Sequence, residues 1–140
     1  MKNSIHTDHT LIIDELETSI KFHNLDLILD FLPKGSFLVG GYIRDIILGR
    51  KTEKLDVDIV VPLNAIEIGK KIADNIGSKL IILDKKREVV RIIFNHIYID
   101  IANQVSSTIE GDLCSRDFSI NSIAFLFDKS NSCFKSSLSS

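Results

Sequence analysis

The chain has 140 residues, 44% of them hydrophobic and 26% charged, with a formal net charge of -2 at pH 7. That length holds one core and one domain, and that composition is a soluble globular protein's. The charge excludes a global basic field for nucleic acid, no apolar run approaches the ~20 residues of a membrane span, and the acidic start (Asp8, Asp14, Glu15, Glu17) is unlike a signal peptide.

Taken in order, residues 1–24 form a polar lead with His6 and His9, expected to fray. Apolar residues at Leu25, Ile28, Leu29 and Leu32 have helical spacing, stopped by Pro33 and Gly35. Ser36 to Val39 reads as a strand that reaches Gly40-Gly41, opens a helix over Tyr42 to Gly49, and returns as a strand carrying Asp56 and Asp58. After Pro62, Asn64 is the expected cap of a helix with Ala65, Ile66, Ile68, Ile72, Ala73 and Ile76 on one face and Gly77 as its stop. Leu80 to Leu83 is a strand and Asp84 to Glu88 a charged, solvated turn. Val89 to Phe94, Asn95-His96 and Ile97 to Ala102 form a hairpin. Ile123 to Phe127 reads as a last strand, before a serine-rich tail at 129–140 expected to be disordered. Cys114 and Cys133 lack metal-ligand spacing, so a reducing cytoplasm is the expected compartment.

The chemistry gathers around Gly40-Gly41 and the two aspartates. Alternation along a strand puts Asp56 and Asp58 on one face and Leu55, Val57 and Ile59 on the other. Two carboxylates side by side repel unless a cation lies between them, and Mg²⁺ takes one or two carboxylates together with water and substrate phosphates. Glycines at a strand-to-helix corner expose backbone N–H groups to a phosphate, and Arg44 adds a forked cation one turn on. Asp100, between Ile99 and Ile101, costs free energy unless paired or metal-bound. If its strand lies beside that of Asp56 and Asp58, three carboxylates converge; a lone polar residue at a strand end accounts for the spacing equally well. Asp117 and Asn121, four apart beside Arg116, share a helix face and can grip one ligand. Each part has a plainer account: a packing corner, a solvated strand face, a helix cap. Their order and close spacing favour a nucleoside triphosphate site.

Three stretches carry a resemblance: Phe37-Leu38-Val39-Gly40-Gly41-Tyr42-Ile43-Arg44-Asp45-Ile46-Ile47-Leu48-Gly49-Arg50, then Leu55-Asp56-Val57-Asp58-Ile59, then Arg116-Asp117-Phe118-Ser119-Ile120-Asn121. In this order they resemble the head domain of the bacterial-type CCA-adding tRNA nucleotidyltransferases and their poly(A) polymerase relatives, over roughly Ser36 to Phe127. The resemblance implies an α/β (α+β) nucleotidyltransferase fold of the polymerase β superfamily, a mixed β-sheet flanked by helices, over a head domain at 25–128. It implies metal-binding carboxylates at Asp56 and Asp58 and a third carboxylate at Asp100. It places triphosphate contacts at Gly40, Gly41 and Arg44, and nucleotide contacts at Arg116, Asp117 and Asn121. The implied reaction is attack of an RNA 3′ hydroxyl, as on tRNA, on the α-phosphate of CTP or ATP, with Mg²⁺ as cofactor and pyrophosphate leaving.

Two departures stand out. The family's first arginine before Asp117 is here Ser115, and the segment after Asp128 is serine-rich where relatives continue into a base-selecting neck and a tRNA-holding body. Two other functions are therefore carried: a minimal nucleotidyltransferase acting on another acceptor, and a catalytically silent nucleotide-binding module.

Overall fold

A computed structural model describes residues 5–49, 55–105, 123–128 and 133–138. Along the chain run α1 (Ile5–Phe22), α2 (Asp26–Leu29), β1 (Phe37–Val39), α3 (Gly41–Ile47), β2 (Leu55–Val61), α4 (Ala65–Ile76), β3 (Lys79–Asp84), β4 (Val89–Phe94), β5 (Ile97–Asn103), β6 (Ile123–Asp128) and β7 (Cys133–Leu138). The strands form one seven-stranded mixed sheet in the order β3-β4-β5-β2-β1-β6-β7. Among the described residues only β2 and β5 pair in parallel, and α4 lies within the long connection that this requires. Among the described residues no helix is long and apolar enough to cross a membrane.

Period-2 alternation gives the sheet two unlike faces. Leu38, Val57, Ile59, Val90, Ile92, Ile97, Ile99 and Ile101 are buried on one of them. They meet Leu16 and Ile20 of α1, Ile28 and Leu29 of α2, Tyr42 and Ile43 of α3, and Ala65 and Ile72 of α4 in a single core. The opposite face carries the polar residues of β2, β4 and β5. In α4 the buried positions Ala65, Gly69, Ile72 and Ala73 make the narrow stripe expected of a helix lying on a sheet.

Three expectations change. The stretch read as a fraying polar lead is helical over Ile5–Phe22, with Leu16 and Ile20 buried. Its apolar residues recur at 13, 16 and 20, a stripe diluted by the acids between them. The serine-rich tail, expected to be disordered, contains β7, paired antiparallel with β6 from Ile123↔Leu138 to Asp128↔Cys133. Backbone pairing along an existing strand does not require apolar side chains. Finally, Asn64 does not cap α4. It sits in the left-handed region at φ 64, where its side chain makes no cap bond, because an N-cap reaches the first N–H groups from an extended backbone. Asn103 and Glu88 do this instead: the Ala65 N–H donates to Asn103 Oδ1 at 2.9 Å and the Ile66 N–H to Glu88 Oε1 at 3.3 Å.

The hairpin between β4 and β5 turns at Asn95 and His96, with φ of 49 and 66. Positive φ at both central residues is the pattern of a two-residue turn whose twist matches its strands. That turn sets Arg91 opposite Asp100 in the register.

Candidate functional site

Asp56 and Asp58 lie two apart in β2, on the face opposite the buried Val57 and Ile59. Asp56 is exposed and Asp58 half-buried. The neighbouring strands extend the site, since Asp58 is in register with Val39 of β1 on one side and with Asp100 of β5 on the other. The glycine corner closes over Asp58. Gly40 has φ +83, and a Cβ built there would lie 2.7 Å from Asp58 Oδ2. Only a residue without a side chain leaves room for that carboxylate.

Gly41 and Arg44 are brought together by the first turn of α3, where a Cβ on Gly41 would lie 3.2 Å from Arg44 Nη2. The guanidinium therefore folds back over the glycine corner. Its contact with Asp45 is long, 3.5 Å from both Nε and Nη2. Among the described residues the buried Nε finds no hydrogen-bond partner, so its 3.5 Å separation from Asp45 Oδ1 is a charge contact with poor alignment. A buried guanidinium donor without an acceptor suits an anion arriving from outside.

Asp100 has a different partner. Arg91 Nε donates to its Oδ1 at 2.7 Å and Nη2 to its Oδ2 at 2.9 Å, a two-pronged charge-assisted pair. The guanidinium carbon also lies 5.0 Å from the centroid of the Tyr98 ring. The hydrogen bonds that Arg91 donates to Asp100, foremost, and the nearby charge of Asp56, more weakly, push the Arg91 pKa above its ordinary value. The expected convergence of three carboxylates is thus met in part: Asp56, Asp58 and Asp100 share one face, yet both Asp100 oxygens go to Arg91. Among the described residues no group of three or more His, Cys, Asp and Glu side chains is arranged to hold a metal ion. The pair Asp56 and Asp58, hard oxygen donors on adjacent outward positions of one strand, is the donor set that fits Mg²⁺.

Arg116, Asp117 and Asn121 lie outside the described residues, as do Arg50 and Ser115. Arg91 and Tyr98 were not singled out in the sequence. The signal for Arg91 is the one that marked Asp100, a charge in the middle of an apolar strand.

A family model described as the Poly A polymerase head domain matches residues 36–104, which contain Gly40, Gly41, Arg44, Asp56, Asp58 and Asp100. Residues 36–104 of the chain belong to the poly A polymerase head domain family. A CC-adding tRNA nucleotidyltransferase of Synechocystis sp. (strain ATCC 27184 / PCC 6803 / Kazusa) is 44% identical to this head over 101 residues, 72% of this chain and 24% of that protein. The chain therefore spans about a quarter of the length of this relative. Among solved structures, a CCA-adding enzyme in complex with ATP aligns at a TM-score of 0.70 and 29% identity, over 89% of this chain and 31% of its own. A CCA-adding enzyme in complex with CTP aligns at 0.68 and 30% identity, over 90% and 32%. The mixed sheet with its helices is the nucleotidyltransferase fold of these enzymes.

Proposed function

We infer that this chain is the catalytic head of an Mg²⁺-dependent RNA nucleotidyltransferase, which transfers CMP or AMP from CTP or ATP to the 3′ end of a tRNA. The observation that supports the reading is that Asp56 and Asp58 share one side of β2, with Asp58 packed against Gly40. CMP is favoured because the relative at 44% identity is a CC-adding enzyme.

In this reaction the 3′ oxygen forms a bond to the α-phosphorus, the bond from that phosphorus to the bridging oxygen breaks, and pyrophosphate leaves with that electron pair. The hydroxyl proton passes to solvent. Mg²⁺ held by Asp56 and Asp58 would supply the charge that lowers the pKa of the attacking hydroxyl and neutralises the leaving oxygens. The rest falls to the chain. Gly40 and Gly41 let phosphate oxygens approach the backbone, and Arg44, with its unpartnered Nε, takes triphosphate charge. Arg116 is assigned to the nucleotide, and Asp117 and Asn121 to its sugar, on the family resemblance. Base selection and the grip on tRNA are assigned to a neck and body beyond this head, since the chain spans 24% of its relative. The two isolated cysteines suit a reducing cytoplasm.

Labelled CTP or ATP, with a tRNA lacking its terminal CCA, tests the reading, both with the chain alone and with an added neck-and-body fragment. Label is expected on the RNA, and its absence in both arms rejects the proposal. Label on protein would point to another acceptor, and Mg²⁺-dependent nucleotide binding without transfer to a silent module. Asp56→Ala is expected to abolish transfer while leaving the thermal unfolding curve in place.

A further inference from the structure

Asp58, Asp100 and Arg91 form a row across three adjacent strands. Asp58 pairs in register with Asp100, and Asp100 with Arg91. Cross-strand partners project from the same face, with neighbouring strands about 4.8 Å apart. The middle member of the row could in principle serve either neighbour. Its two oxygens accept from Arg91 Nε at 2.7 Å and Nη2 at 2.9 Å, toward β4, while Asp58 stands on the other side in β2. The guanidinium is steadied a second time by Tyr98, 5.0 Å from its carbon to the ring centroid. Tyr98 is two residues before Asp100 on the same face of β5, and its own register partner in β2 is Asp56. Arg91 thus spans the two rows that hold the two aspartates of β2, and its charge reaches Asp56 as well as Asp100.

We propose that Arg91 is a positioning residue of the carboxylate site: by taking both oxygens of Asp100 it commits that charge within the sheet and leaves the divalent cation to Asp56 and Asp58. The proposal rests on the metal reading of those two aspartates. Its physical content is a charge balance. With Arg91 in place, the charges of Asp100 and Arg91 nearly cancel within the row. Without Arg91, Asp100 is an unpaired carboxylate one strand from Asp58, and the site gains a full negative charge at short range.

The test is direct Mn²⁺ binding by the full chain, read from the electron paramagnetic resonance of the free ion. Arg91→Met is expected to tighten Mn²⁺ binding by about threefold or more, because it frees a carboxylate beside the ion. A smaller change, or weaker binding, overturns the proposal, since a purely structural arginine would give no tightening. The decisive variant is the double replacement Arg91→Met with Asp100→Asn, which removes the pair together and leaves no unpaired charge to prevent folding. Its Mn²⁺ affinity is expected to stay within about threefold of the parent, because the two opposite charges leave together and the net charge beside the ion does not change. A fall beyond threefold overturns the proposal and makes Asp100 a ligand. A parent chain that binds no Mn²⁺ overturns the metal reading itself, and the role of Arg91 with it. Binding by the parent that is lost in the double variant overturns the role of Arg91 alone.

Discussion

Gly40 and Asp58 occupy the same small volume: a Cβ on the glycine would lie 2.7 Å from Asp58 Oδ2. The contact joins the end of β1 to the middle of β2, strands already in register from Phe37↔Val60 to Val39↔Asp58. The glycine corner and the acidic strand are therefore one construction, and a side chain at position 40 moves the carboxylate.

Gly40→Ala meets two obstacles at once, the φ of +83 and the oxygen. Holding a non-glycine residue in a sparsely populated backbone region costs about 1–3 kcal/mol. If the backbone holds, Asp58 must swing away, and misplacement by about 1 Å in a catalytic site can cost on the order of 100-fold in rate. We expect a lower urea midpoint and a loss of nucleotidyl transfer of at least about tenfold, larger than the stability loss explains. Transfer retained within about twofold would show that Asp58 does not depend on this corner.

Much of this corner was legible in the sequence because its signals are local. A strand-to-helix break at Gly40-Gly41, the period-2 placement of Asp56 and Asp58, and the Asn95-His96 turn each lie within a few residues of what they determine. Asp100 was visible as a charge out of place, but its partner was not, because Arg91 becomes its neighbour only when the hairpin register is set. The cap of α4 was misplaced for the same reason. Asn64 adjoins the helix in sequence, while Asn103 and Glu88 reach it through the sheet. α1 was missed because its apolar stripe is thin and only its packing on the core stabilises it.

Asn103 makes a second prediction. Its Oδ1 accepts from the first N–H of α4 at 2.9 Å, and its Nδ2 donates to Glu88 Oε2 at 2.9 Å, so one side chain ties the helix start to the β3–β4 turn. Removing a capping oxygen costs about 0.5–2 kcal/mol. Asn103→Ala is expected to fall in the upper part of that range because Glu88 also loses its donor. Denaturant titration would check it, and a change below about 0.5 kcal/mol would mean that water replaces the cap.

Gly69 is where α4 comes closest to the sheet. A Cβ there would lie 2.7 Å from Val90 Cγ2 and 3.2 Å from Leu80 Cδ1. Alanine in a helix interior gains about 0.8–1.0 kcal/mol over glycine by propensity, but overpacking a core costs about 1–3 kcal/mol. Val90 is fully buried and β-branched, so it has little freedom to turn aside. The clash is expected to win, leaving Gly69→Ala less stable by about 1 kcal/mol or more. Its transfer activity per folded molecule should be unchanged, since α4 packs on the face opposite Asp56 and Asp58. Stabilisation by alanine would mean that helix and sheet separate with little resistance.

Tyr42 links α3 to α1, its hydroxyl donating to Ser19 Oγ at 2.7 Å from a ring that is almost wholly buried. Burial pushes its pKa up from 10.0 to about 12, outweighing the hydrogen bond with Ser19, which acts the other way. Below pH 10 the hydroxyl is protonated in both folded and unfolded chains, and stability does not vary with pH on its account. Between pH 10 and about 12 the unfolded chain releases the proton while the folded chain keeps it, so stability falls as pH rises. Each pH unit across that window removes up to about 1.4 kcal/mol. Tyr42→Phe has no proton to release. At pH 8 it is expected to be less stable by about 0.5–1.5 kcal/mol, for the lost hydrogen bond. On the alkaline side its stability should decline less steeply, so that the two urea-denaturation curves converge or cross between pH 10 and 12. The other tyrosine, Tyr98, is common to both proteins and cancels in the comparison. Parallel alkaline limbs would show that the Tyr42 hydroxyl titrates as it does in water and that the α1–α3 contact admits solvent.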